Sequence, residues 1–131
     1  SKTEEFKMRV KDWLEQAKRT VSSAEHSAKG GFFEDACFLS HQAALLSVVG
    51  LLIRLGEVET GPSVYYMLRR VEGTTKEILH KARILDTFYL PSRYPYCFEK
   101  GTPKDYFDEE TAKEAIENAK NILEFVERQL G

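Results

Sequence analysis

The 131-residue chain is poor in the residues that mark several protein classes. It has two cysteines, Cys37 and Cys97, far apart and in different kinds of segment. No CxxC pair or Cys/His quartet is present, so a disulfide framework and a zinc site are both excluded as organising devices. This usage fits a reducing, cytoplasmic setting. There is no excess of charge of one sign: 19 Lys+Arg stand against 21 Asp+Glu, a formal net charge of -2. A dedicated DNA-binding domain is usually plainly basic, so no DNA signature exists and any nucleic-acid contact must rest on a local patch. Only four prolines interrupt the chain, three of them between residues 91 and 103. Alternating strand patterns are almost absent.

Long apolar runs are also scarce. Lys2, Glu4, Glu5, Lys7 and Arg9 break up any signal-peptide core at the start of the sequence. One stretch, Ala36 to Ile53, carries no Asp, Glu, Lys or Arg, but Ser40, His41, Gln42 and Ser47 punctuate it. A spanning helix needs about 20 mostly apolar residues. The stretch is therefore read as a buried central helix, and no membrane association is expected.

What is present is helical periodicity. Phe6, Val10, Trp13, Leu14, Ala17, Val21, Ala24 and Ala28 form one stripe over Glu4–Ala28, with Gly30-Gly31 as the stop. A second helix, from about Phe32 to Leu55, is apolar nearly all round and ends at Gly56. Such a helix is enclosed by neighbours, or on one side by a second copy of the chain. A short helix is expected over Val64–Val71. Another should run from about Thr75 to Tyr89, with Thr74 or Thr75 as its cap. Pro91, Pro95, Gly101 and Pro103 mark a long loop from Leu90 to Tyr106, whose aromatics should pack it on the bundle. Ala112, Ala115, Ile116, Ala119, Ile122, Leu123, Val126 and Leu130 define the last helix, with Asp108, Glu109 and Glu110 at its start. The expected architecture is a single all-α domain over residues 1–131: an antiparallel up-and-down bundle of four long helices plus one short helix.

Three clusters carry possible chemistry. Ser40-His41-Gln42 places polar groups inside the most apolar helix, where they must find partners. They either satisfy a neighbouring helix end or face a groove or dimer seam. Asp86 and Tyr89 share a helix face, with Arg93 and Tyr94 just beyond. A guanidinium beside an acid and phenols can hold a phosphate or carboxylate through paired hydrogen bonds. The alternative is a structural Asp86–Arg93 ion pair anchoring the loop. Lys76, His80 and Arg83 line one face of the fourth helix. They form either a solvated face or a track leading toward Arg93 along a phosphate chain. His26 reads as surface. No GxxxxGK[ST] loop, HExxH, DxD, GxSxG or metal-ligand spacing occurs, so no metal or cofactor is expected.

The order of these segments resembles a HEPN domain (higher eukaryotes and prokaryotes nucleotide-binding). Three stretches carry the resemblance: Gly31-Phe32-Phe33-Glu34-Asp35-Ala36-Cys37-Phe38-Leu39-Ser40-His41-Gln42-Ala43-Ala44; Ala82-Arg83-Ile84-Leu85-Asp86-Thr87-Phe88-Tyr89 running into Ser92-Arg93-Tyr94-Pro95; and the alanine-rich start of the last helix at Ala112, Ala115 and Ala119. The resemblance implies a homodimer, often partnered by a minimal nucleotidyltransferase in a toxin–antitoxin pair. Active relatives are metal-independent ribonucleases with an Arg, four to six residues, then a His. Arg93 matches the Arg, but Phe98, Glu99 and Lys100 occupy the positions of the His. Leu45 and Leu46 stand where relatives often carry charges, and Ser63-Val64 where they often carry a His. The resemblance thus implies a module binding a nucleotide or RNA phosphate through Arg93, Tyr94, Tyr89, Asp86 and Arg83. The alternative is an endoribonuclease using Arg93 with His80 or His41 as substitute acid-base.

Overall fold

A computed structural model describes residues 9–57 and 61–131. The first turn expected before Arg9 lies outside the described residues. The described chain is all-helical: α1 (Val10–Lys29), α2 (Phe33–Arg54), α3 (Val64–Leu68), α4 (Lys76–Asp86), α5 (Pro103–Tyr106) and α6 (Glu109–Leu130), with a 3₁₀ turn over Pro95–Cys97. Four of these are long and antiparallel. The short α3 is the expected fifth, and the one-turn α5 is an addition inside the segment read as loop.

Small residues let α1 and α2 approach closely. Ala17 and Ala24 on α1, and Ala36, Ala43 and Ala44 on α2, are fully buried. At Gly50 an added Cβ would stand 2.9 Å from the Cβ of Trp13. The positive φ of Gly31, 84°, turns the chain between the two helices. α6 covers the other side of α2 with Ala112, Ala115, Ile116, Ala119, Ile122, Leu123 and Val126. Its N-cap is Asp108, which accepts from Thr111 N–H at 2.8 Å. That hydrogen bond holds the Asp108 carboxyl below the usual range.

Among the described residues α2 alone has the length and composition to cross a membrane, and 61% of its apolar window is buried inside the protein. Its apolarity follows from its place at the centre of the bundle. Leu45, Leu46, Val49 and Ile53 form a partly exposed row on its outer side.

Two helices are shorter than the periodicity predicts. α3 stops at Leu68 rather than Val71, and Thr74 Oγ1 closes the turn by donating to the carbonyls of Leu68 and Val71. α4 starts with Thr75 as cap, accepting from Ile78 N–H, but ends at Asp86 rather than Tyr89. Thr87 Oγ1 donates to Ile84 O, and i→i+3 bonds carry the chain through Tyr89 as turns. The following segment does not pack through its aromatics as expected: Tyr94, Tyr96 and Tyr106 are exposed and Phe98 alone of the four lies against the core, while Ser92 and Pro103 are buried. Thr102 and Asp105 form a capping box at α5.

Candidate functional site

α2, α3 and α4 converge on one buried polar cluster. His41 on α2 is fully buried. Its Nε2 lies 2.8 Å from Pro62 O and 3.1 Å from Asp86 Oδ1. Both are acceptors, so Nε2 carries the proton, and Nδ1 accepts from the Gln42 amide at 3.2 Å. The Ser40-His41-Gln42 triplet thus divides. Ser40 Oγ donates back to Ala36 O, while His41 turns to the start of α3 and the end of α4, with Gln42 on its other ring nitrogen.

Asp86 is the hub of this cluster. Its carboxylate accepts from His41, from Ser63 Oγ at 3.1 Å, from Val64 N–H at 2.9 Å and from Tyr65 N–H at 3.0 Å. Tyr66 N–H donates to Ser63 Oγ. The three leading amides of α3 are therefore satisfied by one residue from α4 and one from the preceding turn. Burial disfavours the ionised form of Asp86. The hydrogen bonds from His41, Tyr65 and Val64 outweigh it and hold the carboxyl below the usual carboxylate range.

Arg93 is not the partner of Asp86; the ion pair considered from the sequence does not form. Asp86 is occupied by donors from α2 and α3, and the Arg93 guanidinium lies 3.5 Å from Asp35 at the start of α2. It also sits 4.3 Å above the Phe38 ring. Phe38 stacks on Tyr89 at 6.2 Å, and Tyr89 meets His41 at 5.3 Å. An aromatic row thus links Arg93 to the His41–Asp86 cluster. Arg93 and Tyr94 open onto a groove of about 570 Å³ lined also by Glu34, Asp35, Ser92 and Lys104. Both Arg93 and Asp35 side chains are nearly half exposed, at 44% and 45%.

Arg83 points elsewhere. Its guanidinium donates to Tyr65 Oη at 2.8 Å and lies 4.3 Å from the centre of that ring. Arg93 engages Asp35 and Phe38 instead, so the track from Lys76 through His80 and Arg83 stays on the exposed face of α4. His80 is exposed, whereas His41 and its partners lie inside the bundle; His26 is exposed, as expected. Sequence reasoning missed Asp35, Phe38, Ser63 and Tyr65. Only the Phe-Glu-Asp start of α2 hinted at an acid within reach of a loop cation.

Cys37 is buried and Cys97 exposed, both as free thiols. Burial, reinforced by Asp108 and Glu34, pushes the Cys37 thiol up to about 12. Among the described residues no group of His, Cys, Asp or Glu is arranged to hold a metal ion.

This fold and cluster place the protein in a known class of helical bundles. The HEPN domain model matches residues 10–129, and the chain belongs to that family. It is similar to TT1696 from Thermus thermophilus, at 33% identity and a TM-score of 0.89, over 92% of this chain and 98% of that one. It is similar to ST0689, an archaeal HEPN homologue, at 39% identity and a TM-score of 0.83, over 94% and 98%. A HEPN domain protein from Thermotoga maritima is 28% identical with a TM-score of 0.71, over 91% and 97%. Comparison with curated proteins gave no match.

Proposed function

We propose that this HEPN protein is a dimeric binding module that takes a nucleotide or RNA phosphate at Arg93 and works beside a minimal nucleotidyltransferase in a toxin–antitoxin-type pair. The observation that carries the reading is the presentation of Arg93. Its guanidinium is exposed at a groove and held against the face of Phe38. Its acidic neighbour, at 3.5 Å, is a loose, solvent-screened partner that a phosphate can displace. Tyr94, 46% exposed, offers a ring beside it. The partly exposed row Leu45, Leu46, Val49 and Ile53 on α2 supports dimerisation, because an outer apolar row on a central helix suits a second copy.

Noncatalytic binding is favoured over RNA cleavage. A general acid-base must reach the proton it moves. His41 Nε2 is buried and engaged by Pro62 and Asp86, and Nδ1 by Gln42. His80 is exposed but lies outside the Arg93 groove.

The test incubates nuclease-free protein with a structured RNA, with and without EDTA, beside Arg93→Ala, and follows nucleotide binding by thermal shift. The expected result is no cleavage by either protein and a thermal shift with nucleotide that Arg93→Ala removes. EDTA-resistant cleavage lost in Arg93→Ala would establish the nuclease instead.

A further inference from the structure

A second cationic surface lies apart from the Arg93 groove. It is built on α3 and the exposed face of α4. Arg83 lies 4.3 Å from the centre of the Tyr65 ring, and Arg69 lies 5.6 Å from the same ring and 5.7 Å from that of Tyr66. The two tyrosines meet edge to face at 5.4 Å. Tyr66 is 63% exposed.

The charge balance here is unusual for this chain. Among the described residues neither Arg69 nor Arg83 is ion-paired to a carboxylate, whereas the adjacent Arg70 pairs with Glu57. Glu77, the acid on the first turn of α4, is turned to Lys81 at 3.5 Å. Two guanidinium groups therefore converge on one ring with only aromatic groups to receive them. Lys76 and His80 extend the same exposed face of α4. The arrangement is also fixed. Tyr65 N–H is held by Asp86, three residues beyond Arg83 on α4, so the ring and its cation are positioned by one hub.

We infer that Arg69, Arg83 and Tyr66 form a binding surface for single-stranded RNA, with the two arginines on backbone phosphate and a base stacked on Tyr66. Guanidinium forks free of carboxylates match phosphate oxygens. An exposed ring beside them supplies the face on which an unpaired base stacks. The surface shares no residue with the Arg93 groove, and the inference stands whether or not that groove binds phosphate.

The test measures anisotropy of a fluorescein-labelled oligouridylate with wild type, Arg69→Ala, the Arg69→Ala/Arg83→Ala double variant, Tyr66→Ala and Arg93→Ala, over a salt series. Circular dichroism melts confirm folding. Arg69→Ala guards against loss of the Arg83–Tyr65 hydrogen bond, which it leaves in place. The expected outcome is affinity about tenfold lower for Arg69→Ala and lower still for the double variant. The slope of log affinity against log salt should become shallower by about 0.7 for each arginine removed. Tyr66→Ala should lose about tenfold with its salt slope unchanged. Wild-type affinity in the double variant, or no binding by wild type, overturns the inference. So does a glutamate-rich peptide that displaces the RNA as well as unlabelled oligouridylate does. Inorganic polyphosphate competing equally, together with a silent Tyr66→Ala, overturns the RNA assignment in favour of phosphate alone. Loss of binding in Arg93→Ala with the double variant intact places RNA in the other groove only; the opposite pattern supports this surface and counts against that one.

Discussion

His41 and Asp86, 45 residues apart in sequence, meet at 3.1 Å, and the carboxylate that receives the buried imidazole also caps α3. One side chain thus joins the central helix to α3 and to α4, which carries Arg83 and leads into the loop of Arg93.

Replacing Asp86 should be costly. Asp86→Asn leaves the Val64 and Tyr65 amides competing for one acceptor oxygen, and turns a donor toward His41 or Ser63. The expected loss is about 2–3 kcal/mol, measured by urea unfolding. The pH dependence has a definite sign. The folded carboxyl binds its proton less readily than the unfolded one, so its stabilisation is complete above the ordinary range, about pH 4, and drains as pH falls through the lower folded value. The stability gap between wild type and Asp86→Asn should therefore narrow as pH drops from about 5 to 3.

Asp35 restrains Arg93. An exposed ion pair at 3.5 Å is worth about 0.5 kcal/mol, so Asp35→Asn should raise nucleotide or RNA affinity at the groove by about two- to threefold. Arg93→Ala should cancel that gain. Titration by calorimetry checks both, and an Asp35→Asn variant that binds more weakly would sink the idea.

Gly50→Ala tests the α1–α2 contact. The added methyl would meet the Trp13 Cβ at 2.9 Å, an atom tied to its backbone, so the helices must separate. Overpacking costs about 1–3 kcal/mol. The helix-propensity gain of about 1 kcal/mol offsets part of it. A net loss of about 1 kcal/mol should lower Tm by about 4 °C, read by circular dichroism.

Ile53→Lys tests the dimer proposal. The residue is partly exposed on the outer row of α2. Light scattering at micromolar concentration should give twice the 15.0 kDa chain mass for wild type and the chain mass for the variant. A monomeric wild type would refute the dimer.

The cysteines should separate by reactivity, because the thiolate is the attacking species. A thiol reagent should label Cys97 in the native protein at once and Cys37 only after unfolding. Electrospray mass counts the adducts.

The long helices were legible because burial imposes a period of 3.6 on the sequence, and α6 shows it from Ala112 to Val126. The cap of α4 was legible as Thr74 or Thr75, and the Ile78 N–H bond decides for Thr75. The candidate site was legible only as an inventory. His41, Asp86, Tyr89 and Arg93 could be singled out, but the proximity of Asp86 and Arg93 in sequence suggested a pair that the fold does not make. Asp86 instead meets residues 21 to 45 positions away. Periodicity carries no record of such partners. Arg69 and Tyr66 escaped notice for the same reason: α3 has five residues, too few for any pattern to stand out.

That brevity bears on how α3 forms. A helix of five residues cannot nucleate alone in water, and its first two amides depend on a carboxylate that comes later in the chain. α3 must therefore wait for α4 to dock, and it should fold late and open early. The amide hydrogens of Val64 and Tyr65 would then exchange with solvent by a local excursion that leaves α2 and α6 intact. The tyrosine that gathers Arg69 and Arg83 travels with that excursion, so the cationic surface is assembled and dismantled as a unit.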